Sequence, residues 1–280
     1  MEILTERQIL EKIREGCIFS AQIDSGAFKL SIKEYVPAVI TAIHDGHRVI
    51  EYFAAKMKVT EDERQFEEDP YTGTVADGFD ISLKVLDSRY CYDLNRKPEL
   101  CIYEDAWGKE VWKEALNNSD IGRLLACHGT YYRVLDELLT MLTDKFEDVI
   151  LYDLHSYNYS RLEGNPPLFN IGTHFIDLSK YDRVIKHLTE ELRKIELPGF
   201  ENRAAIDEVF KGKGYQAEFI NQNYSDVLCI PLEIKKAFMD EQGFALTLKK
   251  DSFKPLFSGM IEALSRNGEV FKKMIGNKKG

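Results

Sequence analysis

The chain lacks long apolar runs, paired cysteines and an excess of positive charge. No stretch approaches the roughly 18 consecutive apolar residues of a membrane-spanning helix, so no membrane partner is expected. The 5 cysteines are an odd number without a CxxC pair, which argues against a disulfide framework and a thiolate zinc site. The formal charge of −10 argues against a nucleic-acid partner, since such proteins present a basic face to the phosphates.

The sequence leads us to expect neither a secretory signal nor a division into several domains. Residues 1–7 are polar, without a positive start followed by an apolar stretch, so we predict a cytoplasmic protein. No linker, repeat or low-complexity tract interrupts the 280 residues. We therefore predict a single domain over 1–280, with an N-terminal helix within 1–16 and a C-terminal helical extension over 250–280.

Apolar spacing predicts alternating helices and strands. Helical spacing over 121–146 precedes an apolar, β-rich run at 148–154, and a second helical stretch at 181–195 precedes a strand candidate at 227–233. A shorter strand candidate covers 38–43. Such alternation predicts an α/β fold with a central sheet covered by helices on both faces.

Three of the apolar runs end at residues suited to metal chemistry. His44, His155 and Glu233 each follow such a run, and sites in open α/β sheets lie beyond the carboxyl ends of the strands. A catalytic zinc site takes three ligands from His and Asp or Glu and leaves one position for water. We therefore predict that His44 and His155 bind Zn²⁺ and that Glu233 is the general base.

The third metal ligand has two sources in the sequence. His47 follows His44 by three residues, and an acidic cluster before Pro70 offers Glu67 or Asp69. The residues favour neither source over the other. Asp153 lies two residues before His155 on the same strand face. It is a candidate to orient the imidazole through the ring nitrogen that does not bind the metal.

Glu233 and the arginines of the segment 87–96 each have a structural alternative. Glu233 could form a salt bridge with a following lysine at 235 or 236. Arg89, Asn95 and Arg96 predict recognition of an anion, because the arginine fork binds carboxylates in bidentate fashion. The arginines could instead pair with the local carboxylates at 87 and 93.

Six short blocks occur in a characteristic order. They are His44-Asp45-Gly46, Ser88–Arg96, Asp153-Leu154-His155-Ser156, Phe169–Thr173, Phe210–Tyr215, and Leu232-Glu233-Ile234 with Phe238–Glu241. In type and order these blocks resemble the N-formylglutamate amidohydrolase family. That family in turn is similar in fold to the zinc carboxypeptidases, which implies a mixed central sheet between helices and a zinc ion at its edge.

The resemblance implies a role for each matching position. The implied zinc ligands are His44 and His155, and the implied general base and acid is Glu233. The implied groups that hold the substrate carboxylate or polarise its carbonyl are Arg89, Asn95 and Arg96. The carboxypeptidases carry a Glu three residues after the first His, where this chain has His47. The family's acidic block corresponds to 67–69, so Asp69 or Glu67 is the other possible third ligand.

The chain departs from the formylglutamate deformylases at two places. Ile43 stands where they carry Pro, and 216–218 reads Gln-Ala-Glu where they carry Thr-Arg-His, which removes basic groups that could bind a second carboxylate. We predict zinc-dependent hydrolysis of the C–N amide bond of a small anionic N-acyl amino acid, similar to N-formylglutamate. A metallocarboxypeptidase acting on peptide C-termini and a non-catalytic binding protein that kept the fold are the alternatives.

Overall fold

Strands and helices alternate through residues 1–240 and 247–276, which this computed structural model describes. The strands are β1 (Glu2–Leu4), β2 (Phe19–Ile23), β3 (Phe28–Ile32), β4 (Ala38–Ala42), β5 (Ile81–Val85), β6 (Asp105–Ala106), β7 (Lys109–Glu110), β8 (Val149–Tyr157), β9 (Phe169–Ile171), β10 (Ala204–Ile206), β11 (Val227–Lys235), β12 (Met239–Asp240) and β13 (Thr247–Leu248). The α-helices are α1 (Glu6–Arg14), α2 (Glu51–Ala54), α3 (Glu61–Glu67), α4 (Thr72–Ala76), α5 (Asn118–Phe146), α6 (Leu178–Leu192), α7 (Tyr215–Asn223) and α8 (Lys250–Gly276).

Nine strands form one mixed sheet in the order β1-β2-β3-β5-β4-β8-β11-β9-β10. The four central strands, β5, β4, β8 and β11, run parallel, whereas β3 and β9 flank them in the antiparallel direction. This arrangement confirms the predicted fold class, a single α/β domain with a mixed central sheet flanked by helices. No helix in the described part of the chain is long and apolar enough to cross a membrane.

Two hydrophobic cores cover the two faces of the sheet. Side chains of α1, α5 and α7 pack on the face that carries Val149 and Leu151 of β8. Side chains of α4, α6 and α8 pack on the opposite face, which carries Ile150 and Tyr152. The central strands are apolar on both faces because helices cover both of them.

The long helices and central strands lie close to their predicted positions, and the chain termini differ. The N-terminal helix predicted within 1–16 is α1, whereas residues 2–4 before it form the unpredicted strand β1, which pairs in parallel with β2. Helix α1 begins after Thr5, whose side chain forms a capping box with Gln8. The predicted extension at 250–280 is α8 as far as Gly276. Residues 277–280 and Glu241 of the sixth block lie outside the described residues.

The register of the central strands places the predicted site. Thr41 of β4 is the partner of Asp153 of β8, and His155 of β8 is the partner of Glu233 of β11. Asn170 of β9 is the partner of Glu233 on its other side. Because register partners point to the same face of a sheet, these five side chains share the face that α5 and α7 cover.

Candidate active site

His44, Asp69 and His155 meet at the carboxyl ends of β4 and β8. Nδ1 of His44 lies 3.3 Å from Oδ2 of Asp69, and Nδ1 of His155 lies 3.2 Å from the same oxygen. All three side chains are buried, and their ligand atoms lie within 4.8 Å of one another. Within residues 1–240 and 247–276, no other group of three His, Cys, Asp or Glu residues meets this criterion for a metal ion.

Local backbone contacts position the ligands. His44 lies two residues beyond β4, and His155 lies within β8. The backbone N–H of Asp69 donates to the carbonyl oxygen of His44 at 2.8 Å, and the hydroxyl of Thr72 donates to the carbonyl oxygen of Asp69. The segment after α3 is therefore tied to the end of β4, which brings an acidic residue 25 positions away beside His44.

The second nitrogen of each imidazole faces a second carboxylate. Nε2 of His44 lies 2.8 Å from Oδ1 of Asp93. Nε2 of His155 lies 3.0 Å from Oδ2 of Asp153, although this contact is not aligned as a hydrogen bond. Metal-binding histidines are commonly held in this way, by a carboxylate on the nitrogen that does not bind the metal.

A count of protons shows that the group fits a metal cation. A neutral imidazole carries one N–H, and with that proton on Nε2, facing the outer carboxylate, Nδ1 presents a lone pair to Asp69. Two lone pairs would then face one carboxylate oxygen, and such acceptors repel unless protons or a cation lie between them. Two imidazoles and a carboxylate are also a ligand set that catalytic zinc takes.

The charges in the group reinforce one another. Burial would raise the pKa of Asp69, but its hydrogen bonds with His155 and His44 outweigh burial and hold that pKa well below the usual range. Burial would likewise lower the pKa of His155, but the carboxylates of Asp153 and Asp69 outweigh burial and raise it. The raised pKa of His155 shows a negative field at its imidazole, and the lowered pKa of Asp69 shows that its carboxylate is stabilised by hydrogen-bond donors on the two imidazoles.

His47 does not reach this group. Its side chain is exposed, so the structure corrects the sequence expectation that His47 is a possible third ligand. A residue three positions after His44 would share its face in a helix, but here the chain is not helical. It runs close beside the end of β5, where a Cβ on Gly46 would lie 2.1 Å from the backbone carbon of Leu86.

The three acidic side chains at 67–69 point in three different directions. Asp69 faces the imidazoles of the two histidines, whereas Glu67 pairs with Arg161, so Glu67 is not brought to the site. The carboxyl of Glu68 is buried and accepts a hydrogen bond from Ser88. Asp69 is thus the acidic residue that the fold selects from the alternatives in the sequence.

Glu233 lies beside His155, its register partner on β8, and itself belongs to β11. It is the one residue of that strand that is not fully buried. The surrounding protein nevertheless desolvates its carboxyl, which raises the pKa of Glu233 to about 7, and the nearby carboxylate of Asp69 acts in the same direction. The alternative salt bridges are not formed, because Lys236 donates to the carbonyl oxygens of Phe66 and Glu68 and Lys235 to that of Pro166.

Arg89 is engaged by Asp93. Its Nε and Nη2 donate to Oδ2 of Asp93 at 3.1 and 2.6 Å, and its guanidinium lies 4.9 Å from the ring centre of Trp107. Local pairing, the structural alternative for this arginine, is therefore what the structure shows. The other oxygen of Asp93 faces His44, so Arg89 contacts His44 indirectly, through Asp93, and its guanidinium is not free to bind an anion.

Asn95 and Arg96 follow in an exposed turn. Arg96 is exposed, and its Nη1 donates to the carbonyl oxygen of Asn95 at 3.1 Å, so its remaining donors are available. Gly214 packs against Asn95 so closely that a Cβ at 214 would lie 2.0 Å from Oδ1 of Asn95. The buried ring of His128 donates from Nε2 to the carbonyl oxygen of Arg96 at 3.0 Å.

Comparisons with known proteins agree with this arrangement. The sequence profile of the N-formylglutamate amidohydrolase family matches residues 36–239. The chain belongs to this family. The family is one of amidohydrolases, which makes the protein an enzyme by family. Sequence comparison with curated proteins finds no match.

Solved structures agree on the fold of this family member. The N-formylglutamate amidohydrolase of Ralstonia eutropha JMP134 is 17% identical, with a TM-score of 0.70 over 90% of this chain and 99% of its own. A gene product of Agrobacterium tumefaciens is 14% identical, with a TM-score of 0.64 over 86% of this chain and 95% of its own. A metallo-carboxypeptidase from Burkholderia cenocepacia is 12% identical, with a TM-score of 0.39 over 87% of this chain and 62% of its own, too low a score to bear on the fold.

Three polar residues of this N-formylglutamate amidohydrolase family member escaped the sequence analysis as parts of the site. Asp93 appeared only as a local partner for arginine, and Thr41 and Gln216 appeared only inside a strand and in a departure from the family pattern. All three are buried. A polar residue within an otherwise apolar, buried run must form hydrogen bonds. This signal alone could have singled out Thr41 within the run at 38–43.

Proposed function

We propose that this protein is a zinc-dependent amidohydrolase that cleaves the C–N amide bond of a small anionic N-acyl amino acid of the N-formylglutamate type. One observation carries the proposal. Two imidazole Nδ1 atoms converge on one oxygen of Asp69, with Glu233 beside His155 on the neighbouring strand. Membership of the amidohydrolase family supports the class of reaction.

His44, Asp69 and His155 would hold the zinc ion. In such a site the chemistry that zinc supplies is polarisation of the amide carbonyl and a lower pKa for water. Asp93 and Asp153 face the outer nitrogens of the imidazoles. These carboxylates keep both rings turned with Nδ1 toward Asp69, so the ligand geometry does not have to be assembled when the metal binds.

Glu233 would move the proton. As general base its carboxylate takes a proton from the attacking water, and as general acid it returns this proton to the nitrogen of the leaving amine. A pKa of about 7 suits both steps, because the group then accepts and releases a proton near neutral pH at little cost. Its partial exposure allows water to reach it.

Arg96 and Asn95 would hold the anionic end of the substrate. With a net charge of −10 the molecule as a whole repels an anion, so binding depends on a local cation. Arg96 is exposed and keeps donors free. Arg89 is left with the role of holding Asp93, which departs from the role that the family resemblance implies for it.

The N-terminal turn of α7 bears on the choice of substrate. Gln216 is buried, and Glu218 forms an ion pair of 2.6 Å with Lys97. None of the residues at 216–218 is a cation, and the nearby cation Lys97 is paired with Glu218. This turn therefore offers no unpaired positive charge to a second substrate carboxylate. We expect N-acyl amino acids with an uncharged side chain to be hydrolysed at least as well as N-formylglutamate.

The test is a hydrolysis assay on chelator-treated protein, with and without added zinc. The panel contains N-formylglutamate, N-formyl and N-acetyl derivatives of neutral amino acids, and short unblocked peptides. We expect release of the free amino acid only with metal present, loss of that release in His155→Ala, and retention in the exposed-histidine control His47→Ala. Elemental analysis that finds no zinc, together with unchanged activity in His155→Ala, would overturn the proposal.

The same panel separates the two alternative functions. Preferred cleavage of the C-terminal residue of unblocked peptides would make the protein a metallocarboxypeptidase. Bound zinc without turnover of any member of the panel would indicate a binding protein. The raised pKa of Glu233 and its position beside His155 favour catalysis over binding alone, because a binding protein has no use for such a base.

A further inference from the structure

A chain of buried polar groups leads from the metal group into the interior of the protein. The hydroxyl of Thr41 donates to Oδ1 of Asp153 at 3.1 Å, on the side of that carboxylate away from His155. Nε2 of Gln216 donates to Oγ1 of Thr41 at 2.8 Å, and the hydroxyl of Tyr131 donates to Oε1 of Gln216 at 2.5 Å. The proposed zinc chemistry uses Asp153, which faces His155, and gives no role to Thr41, Gln216 or Tyr131.

The directions of these hydrogen bonds depend on one another. Thr41 has a single hydroxyl proton, which lies in reach of Oδ1 of Asp153 at 3.1 Å and of the more distant carbonyl oxygen of Tyr152 at 3.4 Å. This proton is available to Asp153 only if Gln216 donates to Oγ1 of Thr41. Gln216 presents its N–H to Thr41 when its oxygen accepts from Tyr131. If the amide were turned over, Thr41 would donate to Gln216, and Asp153 would lose this donor. The chain of donors therefore ends on Asp153.

Four different elements contribute to this chain. Asp153 lies on β8, Thr41 on β4, Gln216 in the first turn of α7 and Tyr131 in the middle of α5. All four residues are at most 1% exposed, and polar groups at such buried positions are hydrogen-bonded in the great majority of cases. A purely apolar core would not require these polar side chains. We therefore expect their hydrogen bonds to serve a function.

We propose that Thr41 and Gln216 are positioning residues of the metal centre. They hold the carboxylate of Asp153 so that its second oxygen faces Nε2 of His155 and the ring presents Nδ1 to the metal. The inference rests on the proposed function, because it requires a metal at His44, Asp69 and His155. Partners one step behind a metal ligand typically change metal affinity by 10–100-fold, and Thr41 lies one step further, so roughly a tenfold effect is expected.

The test measures zinc affinity of the full-length protein by competition with a chromophoric chelator. Thr41→Val keeps the shape of the side chain and removes the hydroxyl, and Gln216→Met keeps the length and removes the amide. We expect each to weaken zinc binding by roughly tenfold. Thr41→Ser restores the hydroxyl and should return the affinity to within about threefold of the wild-type value.

A matched control and a second readout separate positioning from general stability. Thr189→Val removes another buried hydroxyl, which donates to the carbonyl oxygen of Ile185 within α6, and should leave zinc affinity unchanged. The visible absorption spectrum of the cobalt-substituted protein reports ligand geometry, and we expect it to change in Thr41→Val and not in Thr189→Val. If Thr41→Val does not fold, Gln216→Met decides by the same criteria.

The outcomes distinguish this inference from the proposed function. Wild-type protein that binds no zinc overturns the proposed function and this inference with it. Wild-type protein that binds zinc, with Thr41→Val and Gln216→Met binding it as tightly, overturns the positioning role alone. Weaker binding and an altered cobalt spectrum in both variants, with Thr41→Ser and Thr189→Val near wild type, support it.

Discussion

Glu233 and His155 are register partners on two neighbouring parallel strands, β11 and β8. Their side chains therefore stand side by side on one face of the sheet. The pairing places the carboxylate that we propose as the general base next to an imidazole that we propose as a zinc ligand. The relationship survives small changes in loop conformation, because the backbone hydrogen bonds of the ladder maintain it.

Replacing Glu233 by Gln should separate catalysis from metal binding. The amide cannot accept the proton of water, so we expect kcat to fall by about 10²–10⁴-fold while zinc content stays at the wild-type level. Hydrolysis rates and elemental analysis on the same samples measure both quantities. A variant with unchanged kcat would remove Glu233 from the mechanism.

The wild-type rate should rise with pH on the acid side. The base acts when ionised, and burial raises the pKa of Glu233 to about 7. A bound cation favours the ionised carboxylate, so we expect the midpoint of this limb at or below about 7. The pH profile of kcat/KM checks this, and the limb should vanish in Glu233→Gln.

Asp69 should be required for metal binding, and its neighbour Glu67 should not. Asp69→Asn removes the charge that both imidazoles face, and we expect zinc affinity to fall by at least about tenfold and activity to be lost. Glu67→Gln removes a carboxylate that pairs with Arg161 and serves as the matched control. Competition with a chelator measures both; equal losses would contradict the assignment of Asp69 as a ligand.

The two arginines of the segment 87–96 should behave differently. Arg96→Ala should raise KM for anionic substrates by roughly tenfold or more, because a free charge-assisted contact contributes about 1.5–3 kcal/mol, and should leave the melting temperature near wild type. Arg89→Ala leaves buried Asp93 without its ion pair and should lower the free energy of unfolding by about 3 kcal/mol. Kinetics and denaturant unfolding distinguish them. A stable Arg89→Ala with a selective rise in KM would return Arg89 to the substrate.

Gly214 should be intolerant of even a methyl group. A Cβ there would lie 2.0 Å from Oδ1 of Asn95, so Gly214→Ala must displace the Asn95 side chain, and we expect KM to rise. Gly122→Ala is the control, because nothing lies within 4 Å of its Cβ position in α5. That change should raise the free energy of unfolding by about 0.5–1 kcal/mol.

Stability should decrease on acidification through His128. Burial lowers the pKa of His128 below its usual 6.5 and outweighs the hydrogen bond from its Nε2 to the Arg96 carbonyl, which acts in the opposite direction. The folded state therefore binds a proton at this ring less readily than the unfolded chain does. The unfolded chain takes up the proton as pH falls below about 6.5, and stability present above that pH is lost at up to about 1.4 kcal/mol per pH unit. The unfolding free energy of His128→Gln should vary less over this range, whereas His47→Gln controls for loss of an exposed histidine. Parallel curves for His128→Gln and the wild type would contradict this.

Much of the fold follows from local sequence patterns. The apolar spacing at 121–146 and the apolar runs at 148–154 and 227–233 predict α5, β8 and β11, since burial of one helix face or both strand faces leaves a direct periodic mark. His155 and Glu233 lie within these strands, so their residue types and positions in the pattern sufficed to select them. Strand β1 escaped prediction because three residues carry too little pattern.

The tertiary structure decided which of several suitable residues lies beside His44 and His155. His47 and Asp69 are both suitable ligands, but their distance along the chain from His44 says nothing about their distance in space. A backbone hydrogen bond from Asp69 to His44 and the extended course past Leu86 decide between them. The pairing of Arg89 with Asp93 and the chain from Tyr131 to Asp153 likewise join residues from separate elements. The sequence by itself determined the elements and the kinds of chemistry available, whereas long-range packing determined which side chains meet.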